Sequence, residues 1–195
     1  MHYYMEITCL QDEGISAAFV MGKVMDILHL SMVKLEKQLG VNPVGISFPE
    51  YKSEEGKPPV IGSKVRLFSQ NESHLEMMDL KRQLNRLEDY IHTKKAREID
   101  RPNLSFAIFK RVQMKSSKER LVRRQMKRKG ISEEEARKQY QTFGERSTSL
   151  PFVHMRSHSN TQKFRLFINK QTAEPSENWV FNTYGLSASI PVPDF

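Results

Sequence analysis

The segment from Ser16 to Leu39 is the feature that most constrains the fold, because its apolar residues recur at helical spacing over many turns. Ser16 can cap the start of this helix and Gly40 can end it. The apolar positions, three or four residues apart, are Val20, Val24, Ile27, Leu28, Met32 and Leu35. Because Tyr3–Leu10 resembles a strand, the chain is predicted to begin with a strand and a long helix.

Four further segments extend this start to a β-α-β-β-α-β order. They are strands at Val44–Phe48, Lys64–Ser69 and Ser105–Val112, and a helix at Leu75–Leu87. The order is that of the ferredoxin-like split βαβ arrangement. RNA-recognition motifs share it, but "KVRLFS" matches their aromatic sheet motif poorly. The stretch "EIDRPNL" at residues 98–104 predicts a boundary, so residues 1–100 are expected to form a ferredoxin-like domain.

Residues 101–195 predict a smaller domain with helices and a β-hairpin, which makes the chain as a whole α+β. Ser116 and Glu119 form a capping box for an arginine-rich helix that Gly130 can end, and Ser132 with Glu135 opens a second, shorter helix. The predicted strands are Pro151–Ser159 and Gln162–Asn169, which alternate like hairpin arms around Asn160 and Thr161, and Trp179–Tyr184.

The composition indicates a basic, folded protein. The net charge is +8 and the pI about 9.6, which fit either a soluble basic protein or a polyanion binder. Cys9 is the one cysteine and lies in an apolar run, as a buried structural thiol would. There is no signal peptide, no apolar run of membrane-spanning length and no zinc-finger spacing, so a cytoplasmic protein is expected.

The arginine-rich helix predicts a nucleic-acid partner. Its basic residues fall in one arc at 100° per residue: Arg120, Arg123, Arg124, Lys127 and Arg128. Leu121, Val122 and Met126 lie on the opposite side. Glu119 is the only acid in this helix, and the next acid along the chain is Glu133, so pairing within the helix cannot neutralise the arc. Because side chains reach the A-form major groove poorly, the arc suits DNA or an RNA with a short stem.

Histidine is the natural candidate for a general base, and His29 stands out among the six because it lies on the first helix beside an apolar run. A lone helical histidine is more often structural. "RSHS" and "TYGLS" add hydroxyl groups that could serve as partners. Glu133, Glu134 and Glu135 form the one compact carboxylate group, and acids are typical of a helix N-terminus.

Eight short motifs occur in an order that resembles a known family. They are "LH", "GISFP", "RVQ", "SEEEAR", "LPFV", "RSHS", "FRLFI" and "YGLS", between Tyr4 and Ser187. The chain resembles the type I-F CRISPR-associated endoribonucleases, which trim precursor CRISPR RNA at repeat hairpins. The resemblance implies metal-independent cleavage at the base of the stem, no cofactor, and an enzyme that stays on its product in antiviral defence.

The resemblance also implies the roles of individual residues. The catalytic histidine corresponds to His29, the serine that positions the 2′-hydroxyl to Ser157, and the tyrosine that orients the histidine to Tyr184. The remaining RNA-binding residues are Arg111 and Gln113 for purines low in the stem, Phe164 for the terminal base pair, Ser159 near the scissile phosphate, and Arg120, Arg123, Arg124, Lys127 and Arg128 on the helix. Phe164 also fits an ordinary core position, and Lys127 stands where the family commonly has arginine.

Three functions stay open at this point. The implied partners of an endoribonuclease are the CRISPR repeat hairpin and other subunits of a type I-F surveillance complex. A non-catalytic RNA-binding subunit would use the same basic helix and need no histidine. A DNA-binding regulator is the third reading.

Overall fold

A computed structural model describes residues 3–101, 103–114, 118–141 and 148–195, with the backbone alone at 118–120. The chain divides into two compact units, one made of Met1–Val112 and Leu150–Phe195, the other of Gln113–Ser149. The helices and antiparallel sheets confirm the α+β class. The predicted boundary near residue 100 falls inside the first unit, between its two sheets, and stays a prediction as a domain boundary.

The first sheet holds four strands in the order β2-β3-β1-β4, and every neighbouring pair is antiparallel. The chain order through this region is β-α-β-β-α-β, but its last strand is not the segment predicted for that place. The elements are β1 (Tyr3–Cys9), α1 (Ala17–Leu39), β2 (Gly45–Ser47), β3 (Lys64–Ser69), α2 (Glu72–Met77), α3 (Leu80–Gln83), a 3-10 helix (Asn85–Tyr90) and β4 (Ile91–Glu98). The ferredoxin-like label for this arrangement stays a prediction.

Helix α1 follows its sequence pattern closely. The Ser16 side chain accepts a hydrogen bond from the Phe19 backbone, and Gly40 ends the helix at φ 79°. Its apolar stripe is buried in the core of the unit. Gly22 lies so close to strand β6 (Phe152–Arg156) that a Cβ there would stand 2.4 Å from the His154 carbonyl oxygen. The helix that carries His29 is therefore held firmly against both the first sheet and β6.

Two sequence predictions in this region were wrong. The helix expected at Leu75–Leu87 is three short pieces, because Asp79 adopts φ 46° and breaks the helical path between α2 and α3. The fourth strand of the first sheet is β4, whereas the segment counted for that place, Ser105–Val112, belongs to the second sheet. β4 is an edge strand with mostly exposed polar side chains, so it lacks the alternation that marks a strand.

The second sheet has the order β6-β7-β5-β8 and contains the predicted hairpin. Its other strands are β5 (Ser105–Val112), β7 (Lys163–Ala173) and β8 (Val192–Asp194). The strand predicted at Trp179–Tyr184 was wrong: Phe181 makes one isolated bridge to Asn42, and the chain then enters a turn. The residues there alternate because Trp179 and Phe181 are buried, and this single bridge does not extend into a strand.

A buried carboxylate ties the first sheet together. Glu6 is 3% exposed, and its carboxylate receives hydrogen bonds from Arg66 and Lys94, each at 2.7 Å. Burial alone would raise the pKa of Glu6, but the bonds from Lys94 and Arg66 outweigh it and lower the pKa below its ordinary value. Glu6 is therefore ionised in the folded protein at neutral pH, and its ion pairs with Arg66 and Lys94 help to stabilise the sheet.

Candidate active site

The His29 ring is half-buried at the border of the apolar stripe of α1, next to the buried Leu28. Its Nδ1 lies 2.8 Å from the carbonyl oxygen of Thr183. Because a carbonyl oxygen only accepts, Nδ1 must carry the hydrogen in this contact. The neutral ring therefore keeps its lone pair on Nε2. A histidine with Nδ1 fixed and Nε2 unprotonated is arranged as a proton acceptor.

Tyr184 covers one face of the same imidazole. The two ring centroids are 4.1 Å apart and the planes differ by 1°. The Tyr184 hydroxyl makes no hydrogen bond within the described residues, so the contact with His29 is made by the ring alone. Together with the Thr183 carbonyl, the stack fixes both the position and the plane of the imidazole.

A tight turn places Tyr184 and Thr183 against α1. The Asn182 side chain accepts hydrogen bonds from the backbone N–H groups of Tyr184 (2.8 Å) and Leu186 (3.2 Å). Gly185 adopts φ 69°, and a Cβ there would lie 2.7 Å from Ile46. Only glycine fits this position, because it combines the left-handed backbone with a close approach to the core. The motif "TYGLS" is thus a turn that delivers a carbonyl and a ring to the histidine.

Arg111 and Phe164 extend the group of aromatic and basic side chains. The Arg111 guanidinium lies 5.1 Å from the Tyr184 ring centre and 5.8 Å from that of Phe164. Phe164 is half-buried and packs against the core at the inner face of the second sheet. It therefore partly occupies the core position that its sequence pattern also allows. His29, Tyr184, Arg111 and Phe164 therefore form one continuous set of contacts in the first unit.

Ser157 and Ser159 lie on the turn between β6 and β7. Their hydroxyl oxygens are 3.1 Å apart, and the Ser157 N–H donates to the Gln162 carbonyl at 2.8 Å. The turn is attached to α1 one residue earlier, where the Arg156 N–H donates to Asp26 at 3.1 Å. Asp26 precedes His29 by one helical turn. No hydrogen bond joins Ser157 to His29 in the described part of the chain, so the two are linked through the backbone.

The other histidines offer weaker candidates for a base. His74 Nδ1 is 2.9 Å from the Ser69 hydroxyl, and burial lowers the pKa of His74. His92, His154 and His158 are exposed. Among the residues described, no group of three or more His, Cys, Asp or Glu side chains could hold a metal ion. Cys9 is buried and its pKa is raised to about 12 by that burial, as expected of a structural thiol.

The second unit carries the basic helix. It contains α4 (Lys118–Lys129) and α5 (Glu133–Gln139). Val122 and Ala136 are buried where the helices pack, and Gln125 donates a hydrogen bond to Gln139 at 2.8 Å. Gly130 follows the last turn of α4 at φ 65°, as predicted. The capping box predicted from Ser116 and Glu119 lies outside the described residues, as does the side chain of Arg120.

The exposed face of α4 is basic. Arg123, Arg124, Lys127 and Arg128 are all exposed, and Gln113 is exposed at the start of the unit. Two of the three acids of α5 have partners within that helix: Glu133 pairs with Arg137 at 2.8 Å, and Glu135 completes a capping box with Ser132. No acidic group of the described residues lies within ion-pair distance of Arg124, Lys127 or Arg128. Their charge is therefore available to an anionic partner.

The sequence as a whole matches one protein family. Residues 4–195 match the profile described as CRISPR-associated protein (Cas_Csy4). The chain belongs to the Csy4 family of CRISPR-associated proteins. The resemblance inferred from the eight motifs is confirmed.

Two curated relatives cover the full length of the chain and are covered fully by it. A CRISPR-associated endonuclease Cas6/Csy4 of Pseudomonas aeruginosa (strain UCBPP-PA14) is 33% identical over 201 residues. A CRISPR-associated endonuclease Cas6/Csy4 of Escherichia coli (strain UTI89 / UPEC) is 30% identical over 198 residues. Within the described part of the chain, the structure contains no helix long and apolar enough to cross a membrane.

Three site residues were missed from the sequence. Thr183 contributes a backbone carbonyl, which no side-chain pattern reveals, and Asp26 holds the hairpin turn through a backbone N–H. Asn182 could have been found, because Asn and Gly both favour turns and Gly185 follows three positions later. The roles assigned to the site residues by resemblance stay predictions.

Proposed function

We propose that the chain is a type I-F CRISPR-associated endoribonuclease that binds the repeat hairpin of precursor CRISPR RNA and cleaves it at the base of the stem. The observation that carries the proposal is the His29 imidazole, whose Nδ1–H is held by the Thr183 carbonyl while Tyr184 covers its ring. Membership of a family whose curated relatives are CRISPR-associated endonucleases supports the reaction class.

The reaction uses the nucleophile that RNA itself supplies. His29 Nε2 takes the proton of the 2′-hydroxyl at the foot of the stem, and the 2′-oxygen attacks the adjacent phosphorus. The bond from phosphorus to the 5′-oxygen of the next nucleotide breaks, and that oxygen takes up a proton as it leaves. The products are a 2′,3′-cyclic phosphate and a 5′-hydroxyl, and no divalent ion takes part.

Two serines are assigned to the substrate at the point of cleavage. Ser157 positions the 2′-hydroxyl, and Ser159 lies close to the scissile phosphate. The 3.1 Å contact between their hydroxyl oxygens supports a joint role, because it aligns both groups on one turn. Positioning of this kind lowers the barrier by holding the reacting atoms in line.

The helix α4 binds the stem. Its exposed basic residues contact phosphates and guanine edges in the major groove, near the end of a short stem where that groove opens. Phe164 stacks on the terminal base pair, and Arg111 with Gln113 reads purines low in the stem. Because these contacts do not change during cleavage, the enzyme stays on its product. Other subunits of a surveillance complex then join the mature CRISPR RNA.

The test uses labelled repeat-hairpin RNA in EDTA. The native protein is expected to cleave it once, at the base of the stem, and to leave a cyclic phosphate end. A hairpin with deoxyribose at the cleavage site is expected to bind and stay intact. Cleavage of the deoxy hairpin at the normal rate would refute the mechanism, and binding without any cleavage of the ribose hairpin would indicate a non-catalytic RNA-binding subunit.

A further inference from the structure

The second sheet presents a face to the outside that α1 and the core do not cover. In the β6–β7 hairpin, Phe152 pairs with Phe167 and Arg156 with Lys163, so these four side chains share one face. The residues between them, such as Val153 and Leu166, are buried on the inner face. We call this outward surface the basic sheet face, and its charged and aromatic residues include Lys110, Phe152, His154, Arg156, Lys163, Arg165 and Phe167.

The basic side chains of this face form no ion pair within the described part of the chain, although the Asp26 carboxylate accepts a hydrogen bond from the Arg156 backbone N–H. The sequences of β5, β6 and β7 contain no Asp or Glu. Lys110, Arg156, Lys163 and Arg165 are exposed, and none of them has an ion-pair partner among the residues that the structure describes. The acid in β8, Asp194, is bound to Lys170 at 2.7 Å. A solvated sheet face usually mixes both signs of charge, whereas this one is complementary to a polyanion.

Aromatic rings lie between these cations. Phe152 and Phe167 meet edge to face with centroids 5.3 Å apart, and both rings are partly exposed. The Arg165 guanidinium lies 4.9 Å from the centre of the Phe152 ring. Unpaired bases stack on aromatic rings and on guanidinium planes, while lysines and arginines contact the phosphates between them. The combination is suited to single-stranded RNA rather than to a duplex, whose bases are already stacked.

The position of the basic sheet face determines which part of an RNA substrate could reach it. Strand β6 runs from Phe152 to Arg156 and leads directly into Ser157, and β7 begins again at Lys163 beyond the same turn. The face therefore continues up to the turn that carries Ser157 and Ser159. In a hairpin substrate, the single strands on both sides leave the duplex at the foot of the stem, where cleavage takes place.

We propose that the basic sheet face binds single-stranded RNA that flanks the repeat hairpin. This inference rests on the proposed function, since it takes the foot of the stem to lie at the serine turn. The 5′ and the 3′ flank share the chemistry that the face recognises, and the experiment distinguishes them.

The experiment compares three hairpins with deoxyribose at the cleavage site: a bare hairpin, one with about eight extra nucleotides at the 5′ end, and one with them at the 3′ end. Binding is measured by fluorescence anisotropy over a salt titration. One flank is expected to tighten binding at least about tenfold, because one stacked base is worth about 5- to 150-fold in affinity. The end that gives the gain identifies the flank.

The variant Lys163→Ala/Arg165→Ala is expected to lose most of this gain while it binds the bare hairpin as the native protein does. Its salt slope with the flanked RNA should fall by about 0.7 for each lost phosphate contact. The matched control is Lys34→Ala/Lys37→Ala, which removes two exposed lysines from α1 and should keep the full gain. Thermal unfolding of each variant checks that the fold is intact.

One set of results would refute the binding of flanking RNA alone, and another would refute the proposed function as well. If the native protein binds bare and flanked hairpins equally, or if the Lys163→Ala/Arg165→Ala protein keeps the full gain, the basic sheet face does not bind the flank. If the native protein does not bind even the bare hairpin, the proposed function itself is refuted, and the inference with it.

Discussion

Tyr184 allows a test of how the imidazole is held. Its ring is parallel to that of His29 at 4.1 Å, and its hydroxyl has no hydrogen-bond partner among the described residues. If the ring positions His29, Tyr184→Phe should cleave RNA within about twofold of the native rate, because it keeps the stack. Tyr184→Ala should be slower, because only the Thr183 carbonyl then orients the imidazole.

The size of the effect follows from the strength of the stack. An aromatic pair of this kind is worth about 0.5–1.5 kcal/mol beyond its buried area. Without the stack, a smaller fraction of His29 rings holds the orientation needed for proton transfer. Since about 1.36 kcal/mol corresponds to a factor of ten in rate, Tyr184→Ala should slow cleavage about 2- to 13-fold. The Tyr184→Ala rate should therefore lie between that of the native protein and that of a variant without the base.

The assay is single-turnover cleavage of the repeat hairpin with saturating enzyme, so that weaker binding does not enter the rate. Affinity and thermal unfolding are measured in parallel. A Tyr184→Phe protein as slow as Tyr184→Ala would mean that the hydroxyl acts, and a Tyr184→Ala protein with the full rate would mean that the stack positions nothing. Either result would refute the reasoning from ring geometry.

Three further predictions concern affinity and stability. Changing Arg120, Arg124 and Arg128 to alanine should weaken hairpin binding and reduce the salt slope by about 0.7–0.9 per lost phosphate contact, whereas removing the three lysines of α1 should not; an unchanged slope would exclude α4 as the RNA-binding helix. Phe164→Ala should weaken binding by about 1–3 kcal/mol at temperatures where the variant is still folded, and early melting with normal binding would make Phe164 a core residue alone. Glu6→Gln should cost about 1.5–3 kcal/mol of stability at pH 7. The folded-state pKa of Glu6 is lowered, so the stability that Glu6 contributes to the native protein is fully present above pH about 4.3. This stability is lost as the pH falls through the lower folded-state pKa. The free energy of unfolding of Glu6→Gln, measured with denaturant, should therefore depend less on pH in this acidic range.

Regular, buried elements could be predicted from the sequence, because burial leaves a periodic pattern. Helix α1 has its cap, its stripe and its final glycine where the pattern places them. The β6–β7 hairpin was predicted because its arms alternate between core and solvent. β4 was missed since an exposed edge strand keeps no such pattern, and Trp179–Tyr184 was mistaken for a strand because two buried aromatics imitate one.

The candidate site was predictable only in part. His29 attracts attention as a histidine beside an apolar run, and the family resemblance adds Tyr184 and Ser157. What leaves Nε2 of His29 ready to accept a proton is the hydrogen bond from its Nδ1 to the carbonyl of Thr183, far away in sequence. A backbone carbonyl has no residue type to recognise, so this contact appears only once the turn at Asn182 is seen in three dimensions.

The most direct test of the account is the single-turnover cleavage rate of His29→Ala on ribose hairpin RNA in EDTA, measured beside its affinity for the same RNA. A positioned general base contributes about 10²- to 10⁴-fold in rate, so cleavage should fall by at least that order. Affinity should stay at the native level, because binding depends on the arginines and on stacking. A His29→Ala protein that cleaves at the native rate would contradict the assignment of His29 as the base.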